Sequence, residues 1–298
     1  MELNLKENID ITNLTSFRTK AKTKYLFEIN NYEDIYLLNE LWRFCEDNKL
    51  GIYFIWKWTN TLFAFDHYDG VIVKNNLKWW NYDEKTKILE AYSNEPISNI
   101  ASVLKKEYWN EIWSRFIWLP WGIWGAVFWN AGCFWLETEN NFLEAEVYNI
   151  ETWQVEVFNK LDTNFAYRSS YFKENSWKYF IIKVLFDLSE VIEKYHSDVN
   201  AIVYRQKEHP KGLSCGSFFR NPNRENSAGF LIEAVWLKWY KIWWAYFSEI
   251  HANFLMSDGT ATYQDILDLI NLAIKKVKEE KKMDLIPEVR IINNNGKN

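Results

Sequence analysis

The sequence predicts an α+β protein, and three observations carry that expectation. Short β-rich runs alternate with helical periodicities through the first 190 residues. A polar, charged stretch at 189–211 then interrupts the alternation, and the last third ends in a long amphipathic helix bracketed by short strands. With 298 residues the chain can bury two cores or one large one.

Taken in order, residues 25–29 (YLFEI), 52–55 (IYFI) and 70–73 (GVIV) read as strands. A helix is predicted from about 32 to 48, because Ile35, Leu38, Leu41 and Cys45 recur at helical spacing; Asn31 is its candidate N-cap and Gly51 lies just past its end. This is a βαβ-like opening. A strand at 87–92 follows, then a helix from Pro96 with Ile97, Ile100, Ala101 and Leu104 inward, then strands at 142–150, 154–158 and 179–188. The stretch 189–211 reads as a helix leading into a new domain. Beyond it come the loop SCGSFFRNP, a helix at 228–235, and strands at 245–247 and 251–256 (HANFLM). The long helix runs over 262–281 with Ile266, Leu269, Ile270 and Val277 as its apolar stripe, and its lysine-rich end suits a helix C-terminus. A strand-like PEVRII and a disordered-looking NNNGKN close the chain, which shows no internal repeat.

The net charge of −5 argues against nucleic acid or an acidic membrane surface as the main partner. The opening MELNLKENID lacks a basic n-region and an apolar h-region, so no signal peptide is expected. The longest apolar stretch, 116–129, is broken by Pro120 and glycines and is shorter than the roughly 18–20 residues of a spanning helix. Three cysteines without a CxxC pair fit a reducing cytoplasm with neither disulfides nor structural zinc, and His67, His196 and His209 show no metal-ligand spacing.

The anomaly is tryptophan: 18 Trp stand beside only 10 Gly, where usual composition predicts roughly 21 glycines. Residues 116–135 read FIWLPWGIWGAVFWNAGCFW, with indoles where tight turns want no side chain. The pattern predicts that most tryptophans occupy glycine positions, as follows if the source reads UGA as glycine and the gene has been translated with UGA as Trp. Trp113 and one of Trp79 or Trp80 are candidates for genuine tryptophans. The competing reading is a real Trp-rich protein with sugar-binding platforms or a membrane-interface belt.

With glycine at those positions, two loops take on chemistry. Residues 55–61, IWKWTNT, become a G-K-G-T-N turn directly after a strand, where backbone N–H groups can approach phosphate and Thr59 and Asn60 add donors. Residues 119–132 become a second glycine-rich cradle, which lacks the Rossmann G-x-G-x-x-G helix fingerprint. Two such cradles suggest an extended dinucleotide lying between them.

The ordered strings TSFR (15–18), G-K-G-T-N, G-L-P-G-G-I-G-G-A-V-F-G-N-A-G, AYRSSYFK (166–173), CGSFFRNP (215–222), SAGFLIE (227–233) and PEVR (287–290) resemble the UDP-N-acetylenolpyruvoylglucosamine reductase family over nearly the whole chain. The resemblance implies an FAD-binding fold of vanillyl-alcohol-oxidase type, two α/β subdomains, followed by a C-terminal α+β substrate domain. It places the first subdomain at 1–75, joined by 285–298, the second at 76–190 and the substrate domain at 191–284. It implies FAD held by Trp56, Lys57, Trp58, Thr59 and Asn60 and by Pro120, Trp121, Gly122, Ile123, Trp124, Gly125, Ala126, Asn130, Ala131 and Gly132. NADPH is the implied reductant and a UDP-sugar enolpyruvyl ether the substrate, in a cytoplasmic, monomeric enzyme of peptidoglycan precursor synthesis.

Hydride addition at the enol carbon C3 leaves negative charge at C2, delocalised onto the attached carboxylate, so the site needs a cation, an acid and a proton donor. By resemblance Arg168 binds that carboxylate, Glu288 helps polarise it in protonated form, and Ser217 donates the proton to C2. Tyr167 and Asn221 match substrate-side positions, and His251, at the head of the expected 251–256 strand, is a further candidate substrate contact. Taken singly, Arg168 also reads as a surface ion-pair residue, Ser217 as a loop hydroxyl, Glu288 as a strand-edge charge and His251 as a structural histidine. Other readings are a different flavin oxidoreductase of the same fold, or a non-catalytic carbohydrate-binding protein if the tryptophans are real.

Overall fold

The computed structural model describes residues 3–55, 60–176, 178–190, 201–223 and 225–294. β1 (Lys6–Asp10) and β2 (Lys22–Ile29) are followed by a 3-10 turn (Glu33–Leu37), α1 (Leu38–Asp47), β3 (Gly51–Ile55), β4 (Thr61–Phe63) and β5 (His67–Asn75). The first sheet has the order β1-β2-β5-β3, with β5 parallel to both β2 and β3. The expected βαβ opening therefore forms with β5 inserted between its two strands. The cause is burial: Val71, Ile72 and Val73 of β5 are all fully buried, as a strand covered on both faces must be. β1, rich in exposed charge, takes the edge. The helix expected over 32–48 begins as the 3-10 turn, where Asn31 Oδ1 accepts from the Asp34 N–H at 3.1 Å. Its predicted stripe, Ile35, Leu38, Leu41 and Cys45, is buried.

The second sheet is wholly antiparallel. It is built from β6 (Trp80–Asp83), β7 (Ile88–Tyr92), β10 (Phe142–Asn149), β11 (Gln154–Asn159) and β12 (Tyr179–Asp187) in the order β11-β10-β12-β7-β6. Between β7 and β10 lie α2 (Ile97–Glu107), α3 (Ile123–Phe128) and the small hairpin β8 (Gly132–Cys133) and β9 (Leu136–Glu137). α4 (Lys160–Thr163) and α5 (Tyr171–Glu174) connect β11 to β12. The four inward residues predicted for α2, Ile97, Ile100, Ala101 and Leu104, are fully buried. One continuous core joins this sheet to a face of the first, from Phe27 and Val73 to Ile181 and Phe186.

The last third contains α6 (Ala201–Glu208), α7 (Ala228–Ala234), β13 (Lys241–Ile242), β14 (Ala245–Phe247), β15 (Leu255–Ser257), α8 (Tyr263–Lys281) and β16 (Arg290–Ile292). β13, β14 and β15 form an antiparallel sheet against which α8 packs Ile266, Leu269, Ile270 and Val277. A reciprocal capping box starts α8: Thr262 Oγ1 accepts from the Asp265 N–H at 3.2 Å and Asp265 accepts from the Thr262 N–H at 2.9 Å. The strand expected at 251–256 is shorter: Phe254 N–H bonds to His251 O in a turn, and only Leu255–Ser257 pairs with β14. Of the helix expected over 189–211, residues 191–200 lie outside the described residues, as do 295–298 of the C-terminal tail. β16 returns to pair in parallel with β4.

The backbone bears directly on the tryptophans. Trp109, Trp118, Trp135, Trp153, Trp236, Trp239 and Trp243 all have φ between 48° and 70°. That left-handed region is an outlier for a bulky side chain and open to glycine. Six of them, all but Trp153, are also more than three-fifths exposed, so no packing compensates the strain. Trp113 differs: it is 1 % exposed, packs on Phe116 and Phe186, and its indole N–H reaches Asn141 Oδ1 at 3.2 Å. Among the described residues no helix is long and apolar enough to cross a membrane.

Candidate active site

A cavity of about 980 Å³ opens beside the carboxyl ends of the parallel strands. Asn30 follows β2, Ile55 ends β3, Lys74 and Asn75 end β5 and Asn76 follows it, and all five line it. Carboxyl ends of parallel strands are where open α/β sheets receive ligands. The opposite wall comes from the last third of the chain, through His209, Pro210 and residues 212–217.

Ser217 and Glu288 are brought together by backbone pairing. The Glu288 N–H donates to Phe218 O at 2.7 Å and the Arg220 N–H to Ile286 O at 3.0 Å, so the PEVR segment runs antiparallel beside CGSFFRNP. Asn253, 2 % exposed, clamps the same loop from behind. Its Nδ2 donates to Phe219 O at 2.8 Å, and its Oδ1 accepts from the Phe219 N–H at 2.9 Å. Gly216, with φ 84°, turns the chain so that Ser217 is exposed to the cavity while Phe218 and Phe219 are buried.

Arg168 approaches from the second sheet's connections. It sits in a two-residue turn in which Ala166 and Ser169 exchange both backbone hydrogen bonds at 3.0 Å. Its Nε lies 3.2 Å from Glu288 Oε1 and its Nη2 donates to Gly132 O at 2.9 Å. A Cβ at position 132 would stand 2.7 Å from the Glu137 side chain and 3.3 Å from Arg168 Nη1, so the guanidinium needs a residue without one there. Burial pushes the Glu288 carboxyl up, against the opposing pull of Arg168, Arg220 and Lys173.

The expected site residues divide by position. Asn60, Pro120, Trp121, Ala131, Gly132, Arg168, Ser217 and Glu288 line the cavity. Gly122, Ile123, Trp124, Gly125 and Ala126 cap or form α3. There the N–H groups of Ile123 and Trp124 donate to Glu95 O and Ser93 O at 2.8 and 2.7 Å, so they face backbone carbonyls instead of a ligand. Asn130 is buried with φ 42°, its Nδ2 donating to Ala166 O at 3.2 Å, and so braces the Arg168 turn. Tyr167 is exposed with its ring 5.1 Å from the Arg168 guanidinium. Asn221 Oδ1 accepts from the Ala228 N–H at the start of α7, and His251 packs on Phe254 and His209, so neither reaches the described wall. Trp56, Lys57, Trp58 and Thr59 lie outside the described residues.

Residue-by-residue reading of the sequence missed Lys74, Arg205 and His209 in the wall, and Asn253 behind it. Lys74 was findable, since it directly follows the apolar run 70–73 that reads as a strand. Arg205 carried no signal: it is buried, and bonds from α6 to the carbonyls of Arg115 and Ile117. Burial pulls His209 down to about 4.

The cavity wall also carries buried polar atoms that the hydroxyl and N–H donors of a cofactor would satisfy. Thr15 Oγ1 and Asn60 Oδ1 are buried with no hydrogen-bond partner among the described residues, and unsatisfied buried oxygens of this kind await a donor. Arg18 supplies positive charge on the same wall, and Lys74 stands there with its Nζ paired to Glu28 Oε1 at 2.7 Å.

A cavity shared by two sheet-bearing units and a C-terminal α+β unit, with an acid, an arginine and a hydroxyl converging on it, defines an enzyme. Residues 207–292 match the family model for UDP-N-acetylenolpyruvoylglucosamine reductase, C-terminal domain. The reductase of that name from Protochlamydia amoebophila is 31 % identical over 290 residues, covering 96 % of this chain and 93 % of that protein. The one from Prochlorococcus marinus subsp. pastoris is 30 % identical over 297 residues, with 97 % of each covered. The chain belongs to the UDP-N-acetylenolpyruvoylglucosamine reductase family. The crystal structure of UDP-N-acetylenolpyruvylglucosamine reductase from Thermus caldophilus superposes with a TM-score of 0.73 at 19 % identity, covering 97 % of this chain and 99 % of that one. The expected fold class, vanillyl-alcohol-oxidase type with a C-terminal domain, is thereby shown.

Proposed function

We propose that the chain reduces UDP-N-acetylglucosamine enolpyruvate to UDP-N-acetylmuramate, with NADPH as reductant and FAD as carrier, in peptidoglycan precursor synthesis. The reading is carried by one observation: Arg168, Glu288 and Ser217, from three separate segments, converge on one cavity, with Arg168 Nε 3.2 Å from Glu288 Oε1. Bound FAD would supply the chemistry of hydride transfer from NADPH to the enol carbon C3. Lys74, Asn60, Thr15 and the segments 118–121 and 131–134 are the residues that would hold it.

In this reading the Arg168 guanidinium receives the enolpyruvyl carboxylate, and its planar fork suits two-point contact. Glu288, whose carboxyl burial pushes up, is the acid that would hydrogen-bond the same carboxylate in protonated form as charge builds on it. The Ser217 hydroxyl, exposed to the cavity next to the turn at Gly216, gives its proton to C2. The division of the chain belongs to the same reading: 1–75 with 285–298 and 76–190 hold the cofactor, and 191–284 covers the nucleotide. So does the glycine assignment, because Trp118 and Trp121 stand in the wall that would face the cofactor, and the functional polypeptide carries glycine there.

Protein made from a glycine-recoded gene tests this reading. It should purify yellow, with flavin absorbance, and oxidise NADPH only when the enolpyruvyl sugar nucleotide is present. A colourless preparation, or NADPH oxidation indifferent to that substrate, would overturn it.

A further inference from the structure

Arg168 holds a backbone conformation that arginine seldom adopts. Its φ is 54°, at the second corner of the turn closed by Ala166 and Ser169. Glycine or asparagine fills that region with little strain, whereas an arginine persists there only when its surroundings over-determine it. Three side chains do so. Asn130 Nδ2 holds Ala166 O at 3.2 Å, and Ser170 Oγ holds Phe128 O at 2.8 Å. Lys173, the third residue of α5, reaches back so that its Nζ donates to the main-chain carbonyl of Arg168 itself at 2.7 Å.

Lys173 is not among the residues that line the cavity. It is half-buried, with Arg220 pushing its ammonium down and Glu288 and Glu174 pulling it up; burial is the largest influence and brings it to about 8. The Trp129 ring lies 3.9 Å from its Nζ, but the bond to Arg168 runs to a backbone oxygen and does not depend on the residue at 129. A partly desolvated charge is costly unless it is bonded, and the bond it makes is to the strained turn.

We propose that Lys173 is a positioning residue for the reductive step: its bond to the Arg168 carbonyl fixes the left-handed turn from which the Arg168 guanidinium reaches Glu288 and Gly132 O. The proposal rests on reading Arg168 as the ligand of the substrate carboxylate. Without that bond the turn relaxes toward negative φ, and the base of the arginine side chain swings away from Glu288.

The test uses FAD-loaded protein carrying Lys173→Met, Lys173→Arg, Arg168→Ala, or Lys173→Met with Arg168→Ala. Flavin reduction by NADPH and flavin reoxidation by UDP-N-acetylglucosamine enolpyruvate are followed separately, and crystal structures report φ at residue 168. Lys173→Met should slow reoxidation by roughly ten- to a hundredfold, the cost of misplacing a catalytic group by about 1 Å. Reduction by NADPH should change by less than about twofold, and Lys173→Arg, which keeps charge and donor, should recover most of the loss. In the Arg168→Ala background Lys173→Met should cost nothing more, because residues acting through one another are not additive. In the Lys173→Met crystal Arg168 should leave the left-handed region.

Wild-type reoxidation by Lys173→Met, the same slowing in the Arg168→Ala background, or an unchanged φ would overturn the proposal. So would loss of flavin or of the thermal transition in Lys173→Met alone, which would mark a purely structural lysine. If Arg168→Ala reoxidises normally, the carboxylate-ligand reading fails by itself, and φ in the Lys173→Met crystal still decides the positioning claim.

Discussion

The Arg168 guanidinium and the Glu288 carboxylate meet at 3.2 Å, although one stands in the turn after β11 and the other in the segment before β16. The contact bridges the two halves of the cavity, and each side chain is largely buried, 19 % and 10 % exposed. A pair this buried gains from mutual attraction and from Gly132 O, while burial still favours a protonated Glu288.

The pH dependence follows from that balance. Because the folded pKa of Glu288 lies above its ordinary value, the carboxyl holds its proton across a window above the usual glutamate range and loses it as pH rises. Flavin reoxidation should therefore fall as pH rises through the folded pKa, and Glu288→Gln should abolish that limb. The same sign applies to stability: the folded state binds the proton more tightly, so stability falls as pH rises through this window. Equal pH slopes for wild type and Glu288→Gln would refute the assignment.

Ser217→Ala should slow flavin reoxidation by about 10²- to 10⁴-fold, the span of general acid catalysis, and leave reduction by NADPH unchanged. Stopped-flow traces of the two half-reactions separate these outcomes. Equal slowing of both would point to a misfolded loop at Gly216.

His209 sets a second pH window, read in stability. Burial, with smaller help from Arg205 and His251, brings it to about 4 from an ordinary value near 6.5. The folded state then prefers the neutral ring, so stability should rise with pH between about 4 and 6.5, where only the unfolded chain takes up this proton. In denaturant titrations His209→Phe should flatten that rise relative to wild type; an unaltered slope would mean the ring titrates as in water.

The tryptophans give opposite expectations at two positions. Trp236 is 85 % exposed with φ 61°, so Trp236→Gly should stabilise the printed polypeptide by about 1 kcal/mol through release of left-handed strain. Trp113→Gly, at a site 1 % exposed, should destabilise by about 3–5 kcal/mol or more through the cavity it leaves. Intact-mass spectrometry of protein from the source gives the direct test: a mass equal to that of the printed sequence would end the glycine reading.

Much of the architecture was legible locally. The buried stripes of α1, α2 and α8 could be read from helical spacing alone, since a helix that covers a core must repeat its apolar residues on one face. α3 was not legible: its six residues are too few to show a period, and Trp124 and Gly125 obscure what there is. The strand at 251–256 was over-read because the apolar run continues through a turn held by His251 O and Asn253, and apolarity alone does not distinguish the two.

By itself the sequence determined the class of fold and the family and singled out Arg168, Ser217 and Glu288 as candidates, because these are carried by periodicity and by contiguous strings. Of the tryptophans it marked as glycine positions in 116–135, Trp118 and Trp135 take the left-handed φ, whereas Trp121, Trp124 and Trp129 do not. Only the tertiary structure decided which of the site residues share a wall. Pairing of Glu288 with Phe218, the return of β16 to β4 and the bond from Lys173 to Arg168 all join segments whose spacing along the chain says nothing about distance. Non-local backbone pairing and burial set those distances.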